Sequence, residues 1–279
     1  MLASLIIVFR EVFEAGLIVG IVLAATEGIK GRSAWVGAGI AAGILSAALV
    51  AVFAGALQSV AAGAGQRVFN ACISIAAVLM LGWHQVSMAS HGHRMAGDMT
   101  SMGRNVVLGR QSLFAMAVVV AIAVVREGAE VVLFLYGIVA VGQEGWSAPI
   151  MGSIQGLGLG ALVSMLLYRG LVAIPVARLF DVTSWLIALL AAGMAGQAAA
   201  TLAGADLIPA WGHELWDTSW LVSENSLPGR GLRTLIGYSD RPIGVQLVAW
   251  VTVLIAMVVG ARLIQQAPKR SVARASASS

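Results

Sequence analysis

Two short stretches carry residues that could do chemistry in an otherwise apolar chain. They are Arg10-Glu11-Val12-Phe13-Glu14 and Arg126-Glu127-Gly128-Ala129-Glu130. On a helix, residues three and four apart share a face, so each copy presents two carboxylates with a guanidinium beside them. Leu5 to Phe9 and Ala15 to Ala25 flank the first copy, and Phe114 to Val125 and Val131 to Val141 the second, all suited to lipid. A charge at the centre of a membrane helix costs about 2.5–3.5 kcal/mol on insertion scales, so six uncompensated charges would cost roughly 15–20 kcal/mol. If the two helices meet, four carboxylates and two guanidiniums leave two net negative charges. Carboxylate oxygens suit hard cations such as Fe(III), Mn(II), Mg(II) and Ca(II). A bound cation would offset the surplus, and Arg10 and Arg126 would hold the carboxylates in place while the site is empty. Buried Arg–Glu bridges that only pin a bundle are the structural alternative, but two Glu per Arg exceed what such bridges need.

The elements that position these residues follow from composition. The 279-residue chain is 59% hydrophobic and 11% charged, with a mean hydropathy of +0.91. Runs of about 20 apolar residues without alternation imply an all-α, polytopic membrane protein rather than a β-barrel. Seven transmembrane helices are expected, at Leu2–Ala25, Ala34–Leu57, Val68–Val86, Gln111–Val141, Pro149–Leu171, Thr183–Leu202 and Ile243–Ile264. The first lacks the basic flank of a signal peptide and is expected to stay as a helix. A lone cysteine, Cys72, excludes disulfides within the chain and cysteine-based zinc sites. The net charge of +4 reflects where Lys and Arg sit relative to the membrane and implies no nucleic acid. With the N-terminus outside and the C-terminus cytoplasmic, the inner segments hold Lys30, Arg32, Arg94, Arg104, Arg110, Arg169, Arg178, Arg262, Lys269, Arg270 and Arg274. The outer ones hold only Arg67, Arg230, Arg233 and Arg241. Eleven against four sets that orientation.

The first six spans read as two inverted three-helix repeats plus one extra helix. The charged motif recurs in the first and fourth spans. Gly39-x-x-x-Gly43 follows the first motif at nearly the distance at which Gly156-x-x-x-Gly160 follows the second. Three spans per unit is an odd number, so the second unit must be inverted, an architecture that places a transport site near the midplane. The chain accordingly divides into 1–88, the first repeat; 89–110, a cytoplasmic loop; 111–204, the second repeat; 205–242, an extracytoplasmic loop; 243–267, the seventh helix; and 268–279, a disordered basic tail. The glycines of Gly156-Leu157-Gly158-Leu159-Gly160 serve helix packing, since no strand precedes them as a nucleotide loop requires.

Other residues are open to two readings. His84 and Gln85, at the end of the third span, are candidate pore-lining groups or polar residues satisfied by a neighbouring helix. His91 and His93, among Met88, Met95, Met99, Met102 and Asp98, either receive a metal leaving the pore or belong to an ordinary polar loop. In the outer loop, His213, Glu214, Asp217 and Glu224 either gather cations at a pore mouth or cap the bundle, with Trp211, Trp216 and Trp220 as an interfacial belt.

Two Arg-Glu-x-x-Glu motifs in the first and fourth of seven spans resemble those of the oxidase-dependent iron permeases, fungal and bacterial. Leu215-Trp216-Asp217-Thr218-Ser219, Gly237-Tyr238 and Arg241-Pro242 resemble the bacterial branch, the elemental ferrous iron uptake permeases. The resemblance covers essentially the whole chain. It implies iron transport across the inner membrane, with Glu11, Glu14, Glu127 and Glu130 as iron ligands and Arg10 and Arg126 as motif arginines. It implies iron as cargo rather than a tightly bound cofactor, and no catalysis by the chain itself. It also implies a ferroxidase partner: a multicopper oxidase in fungi, or a periplasmic iron-binding protein with a haem peroxidase in bacteria. Two rival readings remain. A membrane di-metal oxidase would use the same carboxylates, although no Glu-x-x-His accompanies them. The carboxylates alone do not exclude a proton-coupled carrier of another divalent cation.

Overall fold

The computed structural model describes residues 1–60, 66–109, 111–141, 145–170, 176–212, 214–224 and 226–276. At 57–60, 66–68, 85–100, 141, 176–180, 227, 234, 261 and 264–276 it describes the backbone alone. Among the described residues the fold is all helix: α1 (Leu2–Ala25), α2 (Arg32–Val60), α3 (Gln66–Val107), α4 (Leu113–Val141), α5 (Ser147–Tyr168), α6 (Val176–Ala203), α7 (Leu227–Ile236) and α8 (Gly244–Ser276). Arg32–Ala56, Ser147–Tyr168 and Asp181–Ala203 are long and apolar enough to cross a bilayer. α1 and α4 have the length, at 24 and 29 residues, but each carries the three motif charges mid-helix. The polarity is inverted relative to a soluble domain. Leu49, Val52 and Phe53 of α2 and Ile154 and Leu157 of α5 are exposed, while Arg10, Glu11, Glu14, Glu127 and Glu130 are buried. That is the surface of a polytopic membrane protein, with apolar side chains toward lipid and ionisable ones inside.

Helix pairing follows small residues. α1 lies parallel to α5, and α2 parallel to α4. A Cβ on Gly43 would meet Val124 Cβ at 2.5 Å and the Ala121 carbonyl at 3.0 Å; one on Gly156 would meet the Leu5 carbonyl at 2.5 Å and Val8 Cβ at 3.1 Å. These backbones approach closely because no side chain intervenes. The contacts exchange between the pairs at constant sequence offsets. Gly39 meets Ala117 and Val120 as Gly152 meets Met1 and Ser4, and Ala47 faces Gly128 as Gly160 faces Val12. Tyr136 reaches Gly55 as Tyr168 reaches Gly20. Gly39 therefore corresponds to Gly152, not to Gly156 as the spacing suggested. Sequence distance from the charged motif misjudges the register because 25 residues separate Glu14 from Gly39 and only 22 separate Glu130 from Gly152, through a shorter connection and an earlier place in the second helix.

α1 and α4 run antiparallel. Val22 of α1 packs with Met116 and Val120 of α4, while Ala3 and Ile7 share a core with Phe134. The α3 and α6 helices complete that second core through Ala77, Leu81, Ile187 and Leu190.

Two expected irregular segments are helical. The 89–110 stretch continues α3 as far as Val107, giving a 42-residue helix about 63 Å long. Polarity marks where a helix leaves apolar surroundings, not where it ends, and residues 85–107 contain no proline. Met102 and Val106 then return to pack against α1, α2 and α4, and Gly103 abuts Ala25. Likewise α8 runs to Ser276 through the expected basic tail, whose Ala, Arg and Lys are good helix formers. The 205–242 loop contains α7. Ser226 caps its N-terminus by accepting from the Gly229 amide at 3.1 Å. Gly237, at φ +70°, ends it in the left-handed conformation, pressed against Gly193 of α6 where no Cβ would fit.

Candidate metal centre between the first and fourth helices

The antiparallel crossing brings the two charged motifs together, and α3 inserts a histidine between them. On α1, Arg10 Nε donates to Glu14 Oε1 at 2.7 Å, and both side chains are 2% exposed. The His84 ring faces both motifs. Its Nε2 lies 3.2 Å from Glu14 Oε2 and 3.9 Å from Glu11 Oε2, and its Nδ1 lies against Glu130 Oε2 without hydrogen-bond geometry. On α4, Arg126 Nε is 3.4 Å from Glu130 Oε1 and 3.7 Å from Glu127 Oε1. These contacts are looser than the Arg10 pair, and the Arg126 side chain is 40% exposed.

Buried polar atoms are left over. Both carboxylate oxygens of Glu11, Oε2 of Glu127, Oε2 of Glu130, Nδ1 of His84 and Nη1 of Arg10 have no hydrogen-bond partner among the described residues. Buried polar groups are ordinarily paired, and an ionised one without partners is far costlier than a neutral one. The orphaned acceptors converge. One donor atom each from Glu11, His84, Glu127 and Glu130 all lie within 4.8 Å of one another. A cation sits about 2.0–2.6 Å from oxygen or nitrogen ligands, so donors around one ion are at most about 5 Å apart. The cluster has the dimensions and donors of a mixed carboxylate–imidazole site, which suits a first-row divalent ion better than an all-oxygen set does. Glu14 lies at its edge, held between Arg10 and His84.

The profile of the iron permease FTR1 family matches residues 1–273. The chain belongs to that family. It is similar to the ferrous iron permease EfeU of Yersinia pestis, 31% identical over 282 residues that cover 98% of this chain and 96% of that protein. The ferrous iron permease EfeU of Escherichia coli O157:H7 is 28% identical over 286 residues, covering all of both chains. The relatives are named as permeases rather than enzymes. No solved structure matches.

Within this FTR1-family chain the other candidate residues fall elsewhere. Gln85, His91 and His93 lie on α3, with side chains outside the described residues, and His213 lies outside them altogether. Glu214, Asp217 and Glu224 of the 205–242 loop are engaged with arginines. Glu224 pairs with Arg233 at 3.4 Å, while Arg241 holds Asp217 at 3.1 Å and Glu214 at 3.6 Å. The Ser219 hydroxyl and amide donate to Asp217 at 2.6 and 2.9 Å, and with Arg241 they hold its carboxyl below the usual range. The residues that resemble the bacterial branch are those that lace this loop. Leu215 N donates to Pro242 O, Thr218 N to Asp240 O, Thr218 Oγ1 pairs with the Tyr238 hydroxyl, and that hydroxyl donates to Val222 O. Trp250 Nε1 of α8 ties the end of α7 through Ile236 O at 2.7 Å. Each of these three acids faces an arginine, with Glu214 and Asp217 sharing Arg241.

Sequence reasoning named His84 but not its position between the motifs. A histidine at the end of an apolar run was the available signal; which neighbour it meets depends on how α3 crosses α1 and α4.

Proposed function

We propose that the protein is an iron permease of the inner membrane and that iron crosses between α1 and α4 through the Glu11–His84–Glu127–Glu130 cluster, with Glu14 as a further carboxylate. The convergence of unpartnered buried acceptors from three helices carries this reading. Burying them costs free energy that a cation would return on binding, and weak, exchangeable occupancy is what permeation needs. The arginines keep the empty site tolerable, so iron enters as cargo rather than as a resident cofactor. The exchanged contacts of the α1–α5 and α2–α4 pairs support two inverted repeats within a seven-span fold, with α8 as the addition. The basic asymmetry supports an outside N-terminus and a cytoplasmic C-terminus. A periplasmic iron-binding protein and a ferroxidase remain the partners implied by the resemblance.

Uptake of radioactive iron into proteoliposomes holding only this chain tests the proposal, with Fe(II), Fe(III), Mn(II) and Zn(II) compared. Glu11→Gln, Glu127→Gln, Glu130→Gln and His84→Gln should each lower uptake at least about tenfold, and doubles should add little, since groups acting as one unit lose most function at the first removal. Normal uptake by well-folded glutamine variants of one motif would make that motif structural. Oxygen consumption with Fe(II) and no net uptake would favour the di-metal oxidase.

A further inference from the structure

The pairing of helices and the unequal burial of the two motif arginines point to how the site changes sides. Each charged helix is bonded most tightly to the second helix of the other repeat. α1 is welded to α5 through Gly152, Gly156 and Gly160, and α4 to α2 through Gly39 and Gly43. Backbone contacts of this closeness leave no slack for sliding. The candidate site lies on the seam between the pairs, with Arg10, Glu11 and Glu14 on one side and Arg126, Glu127 and Glu130 on the other. Because α1 and α4 are antiparallel, Arg10 lies toward the Leu2 end of the site and Arg126 toward the opposite membrane face, that of Leu113. Their surroundings differ. Arg10 is buried and bonded to Glu14 at 2.7 Å, beneath a core that includes Ile7, Leu81, Phe134 and Leu190. Arg126 is 40% exposed, with its carboxylates at 3.4 and 3.7 Å. The equivalent neighbours differ in the same sense: Ile7 is fully buried, and its counterpart Ala123 is half-buried.

We propose that the moving bodies are the cross-repeat pairs α1–α5 and α2–α4, rocking about the seam, and that Arg10 and Arg126 are its alternating gates. A gate is shut when its guanidinium is buried against the glutamate four residues on, and open when that contact is loose. In this structure the gate on the Leu2 face is shut and the gate on the Leu113 face is loosened. Rocking exchanges the two environments, as the near-equivalence of the contacts allows. The site thereby meets one side at a time. This inference rests on the permease reading above.

A cross-link separates this scheme from one in which the two sequence repeats move as bodies. A Cβ on Gly20 of α1 lies 4.0 Å from Tyr168 Cβ of α5, within the range of about 3.5–4.5 Å that a disulfide spans. In a Cys72→Ser background, Gly20→Cys with Tyr168→Cys joins helices of different repeats but of one proposed body. With cross-linking scored by mass spectrometry, iron uptake by the oxidised protein should stay within about twofold of the reduced protein. Loss on oxidation, restored by reductant, would overturn the assignment of bodies. A reduced protein that moves no iron, while Cys72→Ser alone moves iron, counts against this inference, because neither substituted residue belongs to the site; Cys72→Ser and wild type that both move none count against the permease reading instead. The gates are tested separately with a membrane-impermeant maleimide on single cysteines in sealed vesicles of each orientation. Ala123→Cys should react from the Leu113 face only, and Ile7→Cys from neither. A silent Ala123→Cys, or an Ile7→Cys that reacts from the Leu2 face, would overturn the gate assignment.

Discussion

Arg10 and Arg126 occupy the same place in the two motifs yet do unequal structural work. Arg10 Nε and Glu14 Oε1 form a pair shut away from solvent, and Nη1 of Arg10 has no partner among the described residues. Removing one member of a buried pair strands the other charge, at about 3–5 kcal/mol. The Arg126 side chain is 40% exposed, and its contacts to Glu127 and Glu130 are longer, at 3.7 and 3.4 Å, so losing one carboxylate strands it less. Glu14→Gln should therefore lower the melting temperature in detergent by clearly more than Glu130→Gln, although both remove one carboxylate four residues from an arginine. Equal shifts in thermal unfolding would mean that the two arginines sit in equivalent surroundings. The sequence displayed both motifs in full. It could not rank the arginines, because their difference comes from what covers each helix face, not from the helix itself.

Helix packing turns on individual glycines that look alike in the sequence. Gly156 and Gly158 are two residues apart on α5. A Cβ on Gly156 would meet the Leu5 carbonyl at 2.5 Å and the Phe9 amide at 2.9 Å, while one on Gly158 would meet nothing within 4 Å. Backbone atoms cannot rotate out of the way, so overpacking there costs about 1–3 kcal/mol or more. Gly156→Leu should sharply reduce the yield of folded protein, while Gly158→Leu, facing open space, should fold at near wild-type yield and gain helix propensity. Size-exclusion profiles of the two variants check this, and similar profiles would contradict the α1–α5 interface. The composition announced helices joined by small residues. Only the packing distinguishes glycines at contacts from glycines at the lipid surface.

At the scale of the whole molecule, the charge distribution and the site must be placed relative to the two sides of the membrane. The proposed orientation, which rests on the eleven-to-four distribution of basic residues, has the C-terminus in the cytoplasm and the laced loop around Asp217 outside. A reporter active only in the cytoplasm should work when fused after Ser279 and fail when inserted near Asp217. The opposite pattern would reverse the topology.

By itself the sequence determined the membrane class, the all-helical architecture, the two charged motifs and most helix positions. These follow from local quantities: apolar run length against bilayer thickness, and side-chain spacing along a helix. It misplaced the end of α3 and the register of Gly39, because neither polarity nor loop length records which residues touch. Tertiary structure alone decided that His84 stands between Glu14 and Glu130, that Glu214, Asp217 and Glu224 face Arg233 and Arg241, and that Arg10 is closed in while Arg126 is not. Each depends on the crossing of helices distant in sequence, and the periodicity of one helix specifies its buried face but not the neighbour that buries it.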